Sequence, residues 1–231
     1  RPDPEFGWQA AQAAARSRPD DAPQAGRVGA GTGARFGLGQ ASVRLPDGTV
    51  VAALVALNSA GLPLNPATCE PWALALELQG EFGLTSPEPE ECAAARWDPP
   101  DSGAALSAER AGTSLPFNTT IAVVATDAAL DQTQARRLAE VANSGLARAI
   151  RPVHNLTDGD AVFALATGQG SATSDGAASG VPRVGDAADL ARLQAIYEAG
   201  ADALARAVVH ALIAGGMYCE QLPSACRART R

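Results

Sequence analysis

A hydroxyl residue heads one apolar run of this sequence, and two carboxylates and a neutral amide stand at the ends of others. Thr119 follows Asn118 and leads into the run TTIAVVAT. A cut in the peptide bond ahead of Thr119 would leave a free α-amine beside the residue's own hydroxyl. An α-amine titrates near ~8, so around neutral pH it can accept the hydroxyl proton, which is the N-terminal-threonine form of nucleophilic catalysis. Asp158 and Asp160 sit in the turn-like segment TDGD ahead of AVFALAT. They are either plain turn formers or a carboxylate pair able to orient a nucleophile. Asn58 ends the run TVVAALVALN. It is either a turn former or a neutral amide donor for an oxyanion.

Other candidates carry less. Gly29, Gly31 and Gly33 give G-x-G-x-G, no G-x-G-x-x-G register exists, and no Lys-Ser/Thr follows. A tight loop is therefore expected there, not a phosphate cradle. Asn118 and Asn155 each begin a glycosylation sequon, but the first opens an apolar strand, a poor place for a glycan. The two histidines, His154 and His210, carry no Cys-His or Ser-His signature and are read as bland. With no C-x-x-C and only these histidines, no metal site or cofactor is expected. Cys69 with Cys92 and Cys219 with Cys226 form two local pairs in polar, proline-containing segments. They fit two disulfides and a periplasmic or secreted protein, against four free thiols in a cytoplasmic one.

Composition narrows the classes. The 231 residues carry a formal charge of −7, and all 18 basic residues are arginine. A catalytic lysine is excluded, and a nucleic-acid partner is not expected without a net basic face. No run approaches the ~20 apolar residues of a membrane helix, so no membrane partner is expected either.

The elements that must position these groups follow from periodicity. Residues 7–16 read as an alanine-rich helix, Ser17 to Gly26 as a linker, and Val28 to Gln40 as a glycine-rich loop. ASVRL and TVVAALVALN flank Pro46-Asp47-Gly48 as a hairpin whose second strand is central. Residues 59 to 117 hold eight of the 16 prolines. They read as a long, partly mobile excursion with one helix candidate, PWALALELQGEF. TTIAVVAT and AVFALAT read as buried strands. Between them, Asp131 to Gln134 resembles a capping box for a helix to Ile150. Asp186 caps a long helix to Ala214, with Leu190, Leu193, Ile196, Tyr197, Leu204, Val208 and Leu212 on its inner stripe. Gly200 falls on that stripe, where close packing would justify it, and Gly215-Gly216 ends the helix. The pattern favours an α+β layered domain.

The block from Asn118 to Gly168, with VGAGTGARFGLGQAS and ALVALNSAG upstream, resembles the P1 peptidases, peptidase family S58. This family comprises DmpA-type D-stereospecific aminopeptidases, β-peptidyl aminopeptidases and nylon-oligomer hydrolases. The resemblance implies an αββα sandwich of the DmpA/ornithine acetyltransferase type, made as a precursor that cuts itself before a Ser or Thr. It assigns the scissile bond to Asn118–Thr119, the nucleophile to Thr119, the oxyanion-hole amide to Asn58 and the downstream carboxylates to Asp158 and Asp160. It divides a single, partial domain, 1–231, into an α-chain portion, 1–118, and a β-chain portion, 119–231. It implies hydrolysis of a small peptide or amide substrate and a homo-oligomer. Many relatives carry a lysine before the G-[IL]-G motif. Here Arg35 stands nearby and can keep the charge, but it cannot act as a proton acceptor. Such proteins begin well upstream, so strands of the sandwich are expected to be missing and apolar faces bared. An ornithine acetyltransferase-like acyl transferase and a catalytically inactive, truncated relative acting as a structural or binding subunit are the competing readings.

Overall fold

The computed structural model describes residues 3–18, 21, 25–27, 36–97, 118–170 and 180–227. Four strands form one sheet in the order β1-β2-β3-β4: β1 (Leu38–Arg44), β2 (Val50–Ala56), β3 (Ile121–Thr126) and β4 (Ala161–Ala166). The first two are an antiparallel hairpin around Asp47-Gly48, β2 pairs antiparallel with β3, and β3 pairs parallel with β4. Helix α1 is Pro4–Arg16, α2 Pro89–Ala94, α3 Gln132–Ala149, α4 Ala187–Ala214 and α5 Met217–Gln221. The parallel pair needs a crossover, and α3 supplies it.

The α+β class and the central place of β2 are as the sequence pattern expects. Strand β1 begins at Leu38, inside the stretch read as glycine-rich loop. Residues 28–35, which hold the rest of that loop and Arg35, lie outside the described residues.

Alternation along the strands places Val51, Val55, Ala122 and Val124 inward, each essentially buried under α3 and α4. The opposite face is bare. Ile121, Phe163 and Leu165 are 49%, 58% and 58% exposed, with Leu54 beside them. The runs TTIAVVAT and AVFALAT read as buried strands, but among the described residues only one side is covered. One sheet and its helical layer amount to half of an αββα sandwich.

Both long helices start where the side-chain caps dictate. Asp131 accepts the Gln134 N–H while the Gln134 side chain accepts the Asp131 N–H, a complete capping box. The Asp186 carboxylate accepts from the N–H groups of Ala188 and Asp189. On α4 the inner stripe runs from Leu193 to Leu212, whereas Leu190, expected on it, is half exposed in the first turn. The two helices touch through their glycines. A Cβ on Gly145 would lie 2.3 Å from the Ala201 carbonyl oxygen, and one on Gly200 would lie 2.7 Å from Leu138 Cδ1.

The excursion is not loose over its described part, residues 59–97; residues 98–117 lie outside the described residues. Leu62, Leu64, Ala73, Phe82 and Trp97 are all in the core. Two disulfides fasten it and the C-terminal segment, Cys69–Cys92 (S–S 2.02 Å) and Cys219–Cys226 (2.06 Å). Tyr218, whose hydroxyl burial pushes well above its ordinary value, donates to the Cys69 carbonyl at 3.0 Å.

The helix expected over 71–82 is absent apart from one 3-10 turn, Leu74–Leu76. Gln79 and Gly80 are left-handed, and the Glu77 and Glu81 carboxylates accept the Phe82 and Leu78 N–H groups. That arrangement aims Glu81 at α4. There Arg206, 4% exposed, pairs with it through two guanidinium nitrogens, and His210 Nε2 lies 3.1 Å from Glu81 Oε2. Burial alone would raise the Glu81 carboxyl. The hydrogen bonds from Arg206, His210 and the Leu78 N–H outweigh it and hold the group at about 2, below its ordinary 4.5.

Two outcomes follow. Gly145→Ala gains about 1 kcal/mol of helix propensity but drives a methyl into backbone, and overpacking costs about 1–3 kcal/mol. A net loss, read as a lower urea midpoint, is expected. The stability contributed by Glu81 is complete above pH 4.5 and is lost as pH falls toward 2. Glu81→Ala should cost about 3 kcal/mol, because it leaves a buried guanidinium unpaired. It should also flatten this acid limb in thermal melts taken across that pH range.

Candidate active site

Thr119 stands two residues ahead of β3, in a lead-in that continues the sheet on both sides. Toward β2, the Thr119 N–H donates to the Asn58 carbonyl at 3.0 Å. Toward β4, the Asn118 N–H donates to Thr157 O (3.1 Å) and the Asn118 carbonyl accepts the Gly159 N–H (2.9 Å), a parallel bridge between Asn118 and Asp158. The Thr119 hydroxyl donates to the same Asn118 carbonyl oxygen at 2.6 Å. The peptide unit joining residues 118 and 119 is therefore held at its N–H by one neighbour and at its C=O by the other. Its hydroxyl neighbour lies directly against the carbonyl.

The sequence candidates converge here. Asn58 follows β2, half-buried, and its side-chain amide makes no hydrogen bond among the described residues. Asp158 and Asp160 reach the site through backbone, and neither bonds the Thr119 hydroxyl. Asp158 Oδ1 accepts the Ala60 N–H at 3.0 Å, and Oδ2 accepts from the Asn155 N–H and side-chain amide at 3.1 and 3.2 Å. Asp160 Oδ1 accepts the Thr120 N–H at 2.9 Å. Asp160 thus holds the chain just after the nucleophile candidate, and Asp158 ties the segment after Asn58 to the turn ahead of β4.

The segment after β2 is steered into this arrangement by close packing. Leu62 and Arg151 exchange both backbone hydrogen bonds at 2.9 Å. The Arg151 guanidinium lies 4.0 Å over the Trp72 ring. Gly61 passes so near Pro152 that a Cβ would fall 1.9 Å from its carbonyl oxygen.

Two participants escaped the sequence reading. His154, taken as bland, adopts a left-handed φ of 54° and lies with Nδ1 2.7 Å from Asp160 Oδ2 and Nε2 3.3 Å from the Asn143 amide on α3. The Nδ1–H tautomer satisfies both contacts, donating to Asp160 and accepting from Asn143. The one available sequence signal was a histidine just before a D-G-D turn, and that turn's partners were not readable locally. The second participant, Gly159, works through its backbone and has no side-chain signal at all. The four cysteines take no part in these contacts. Among the described residues no cluster of His, Cys, Asp or Glu could hold a metal ion.

The sequence profile of the family described as Peptidase family S58 matches residues 4–219. An uncharacterized aminopeptidase of Mycobacterium tuberculosis (strain H37Rv) is 42% identical over 214 residues, covering 90% of this chain and 57% of the relative. One from Mycobacterium leprae is 41% identical over 240 residues, covering 97% and 61%. The chain thus spans little more than half the length of these relatives. Among solved structures, a β-aminopeptidase of Burkholderia sp. aligns with a TM-score of 0.46 at 28% identity, over 85% of this chain and 49% of that one. The L-aminopeptidase D-Ala-esterase/amidase of Ochrobactrum anthropi aligns with a TM-score of 0.49 at 24% identity, over 83% and 45%.

The Asp160 contacts have a measurable hierarchy. Asp160→Ala leaves the Thr120 N–H without its acceptor in a fully buried residue and should cost about 1–3 kcal/mol. His154→Ala removes only a half-exposed partner and should cost less than about 1 kcal/mol. Urea titrations of the two variants should rank them in that order. The reverse ranking would make the imidazole, not the carboxylate, the anchor.

Proposed function

The chain belongs to peptidase family S58, and on that premise we propose that it is a self-processing N-terminal-threonine hydrolase of amide bonds, acting as an aminopeptidase or on short amide oligomers. One observation carries the reading. The Thr119 hydroxyl lies 2.6 Å from the oxygen of the carbonyl it would attack, in a peptide unit held at both ends.

In the uncut chain, Thr119 Oγ adds to the Asn118 carbonyl carbon. The C–N bond breaks as the hydroxyl proton passes to the departing nitrogen, which leaves an ester on Thr119. Water hydrolyses that ester, releasing the Asn118 carboxylate and restoring the hydroxyl beside a free α-amine. The amine stays within reach of the Asn58 carbonyl, its partner before the cut. With an ordinary value near ~8, it accepts the hydroxyl proton when Thr119 attacks a substrate amide. The Asn58 side-chain amide donates to the tetrahedral oxyanion, an interaction worth about 3 kcal/mol in a site of this kind. Water then releases the acyl group.

Asp158 and Asp160 contribute rigidity and sign. They fix the backbone around the nucleophile, and their charge favours a substrate that presents an ammonium group. The mycobacterial relatives are named aminopeptidases, which agrees with a free amino terminus on the substrate.

Intact-mass analysis with denaturing electrophoresis tests this reading. The expected result is one piece ending at Asn118 and another beginning at Thr119, with both cutting and amide hydrolysis abolished by Thr119→Ala. A single uncut band without turnover would favour an inactive relative. Acetyl transfer to glutamate would favour an acyl transferase.

A further inference from the structure

Self-cleavage makes a demand that substrate hydrolysis does not. During the cut, negative charge develops on the Asn118 carbonyl oxygen. That oxygen belongs to the chain's own peptide, and the Asn58 side-chain amide makes no hydrogen bond with it. The group that does is the Gly159 N–H, at 2.9 Å. Resting on the reading that Thr119 cuts its own chain, we propose that the Gly159 backbone N–H is the oxyanion donor for the cut, distinct from the Asn58 amide that serves the substrate.

Three features support the assignment. The first is aim. The oxygen that accepts from Gly159 is the same one that accepts from the Thr119 hydroxyl at 2.6 Å, so donor and nucleophile meet at one carbonyl. The second is rigidity. The Gly159 N–H follows Asp158, which is held by its own N–H on Asn155 O (2.8 Å) and by its carboxylate on Ala60 and Asn155. A donor held in place before charge develops needs no reorganisation during the reaction. The third is the choice of residue. Gly159 does not have positive φ, so its backbone conformation does not demand glycine. Space favours it: a Cβ there would lie 3.1 Å from Thr119 Oγ1, a tight approach. A side chain would crowd the attacking oxygen, and glycine lets the N–H approach beside it.

The step balances without further groups. The bond from Thr119 Oγ to the Asn118 carbon forms, and the carbonyl electron pair moves onto the oxygen facing the Gly159 N–H. That pair then returns as the C–N bond breaks and the hydroxyl proton goes to the Thr119 nitrogen. Water completes the release. The donor's task ends with the cut, and the Asn58 amide serves the substrate.

The test replaces one atom group. Glycolic acid introduced at position 159 of the intact protein by nonsense suppression turns the amide into an ester, substituting oxygen for the N–H and adding no side chain. Cutting ahead of Thr119 is followed by intact mass. Loss of one oxyanion donor is expected to slow it roughly 100-fold or more, with the thermal midpoint close to that of the unmodified protein. Material that has cut after long incubation should turn over amide substrate, per cut site, within a few-fold of the unmodified enzyme. Cutting at the unmodified rate overturns the proposal. So does slow cutting accompanied by an equal loss of turnover per cut site, or by a collapse of the thermal midpoint, since either makes the hydrogen bond structural. The unmodified control separates this result from failure of the parent reading: if it never cuts at Asn118–Thr119, self-processing itself is wrong.

Discussion

The arrangement depends on one peptide unit pinned in mid-sheet. The bond between Asn118 and Thr119 lies where β3 would continue, between the end of β2 and the approach to β4. Its N–H is given to Asn58 and its C=O is taken by Gly159. A peptide at a sheet edge or in a loop would have at least one of these groups in water and many orientations open to it. Here both are committed, so the carbonyl plane is fixed relative to the hydroxyl of the next residue. Proximity of that kind replaces a search through conformations with a prepaid geometry.

The rest of the fold maintains that geometry. The order β1-β2-β3-β4 gives β3 a neighbour on each side, and the α3 crossover makes one of them parallel. Parallel register brings Asp158 and Asp160 level with Asn118 and Thr120, and their carboxylates take the backbone N–H groups of Ala60, beyond β2, and of Thr120, just after the peptide. His154 braces Asp160 from the α3 side. The excursion, tied to α4 by Glu81 and Arg206 and closed by its disulfide, keeps the segment after Asn58 pressed against Pro152. The bare sheet face carrying Ile121, Phe163 and Leu165 sits beside this machinery in a chain a little over half the length of its mycobacterial relatives.

Much of the architecture was legible because the signals were local. A hydrophobic run after a turn dipeptide made β2, Asp131 with Gln134 made the start of α3, and Asp186 made the start of α4. Thr119, Asn58, Asp158 and Asp160 were legible as types at strand ends, and family resemblance joined them. What failed to read depended on distant partners. The 71–82 segment has helical composition, yet Glu77 and Glu81 spend their carboxylates on turn backbone and on Arg206, far away in sequence. The outer faces of β3 and β4 look like core residues because nothing in a strand's own pattern says whether a second layer covers it. His154 reads as an ordinary loop histidine until β4 brings Asp160 beside it. Gly159 contributes an N–H that every non-proline residue possesses.

The most direct measurement is periodate oxidation of the mature protein. Periodate cleaves an amine and a hydroxyl on adjacent carbons, a pair found in threonine only when its α-amine is free. The account predicts that the piece beginning at Thr119 is converted to its N-terminal aldehyde mass and that amide hydrolysis disappears with it. Active protein that periodate leaves unchanged in mass would contradict the claim that a liberated amine and its own hydroxyl form the catalytic pair.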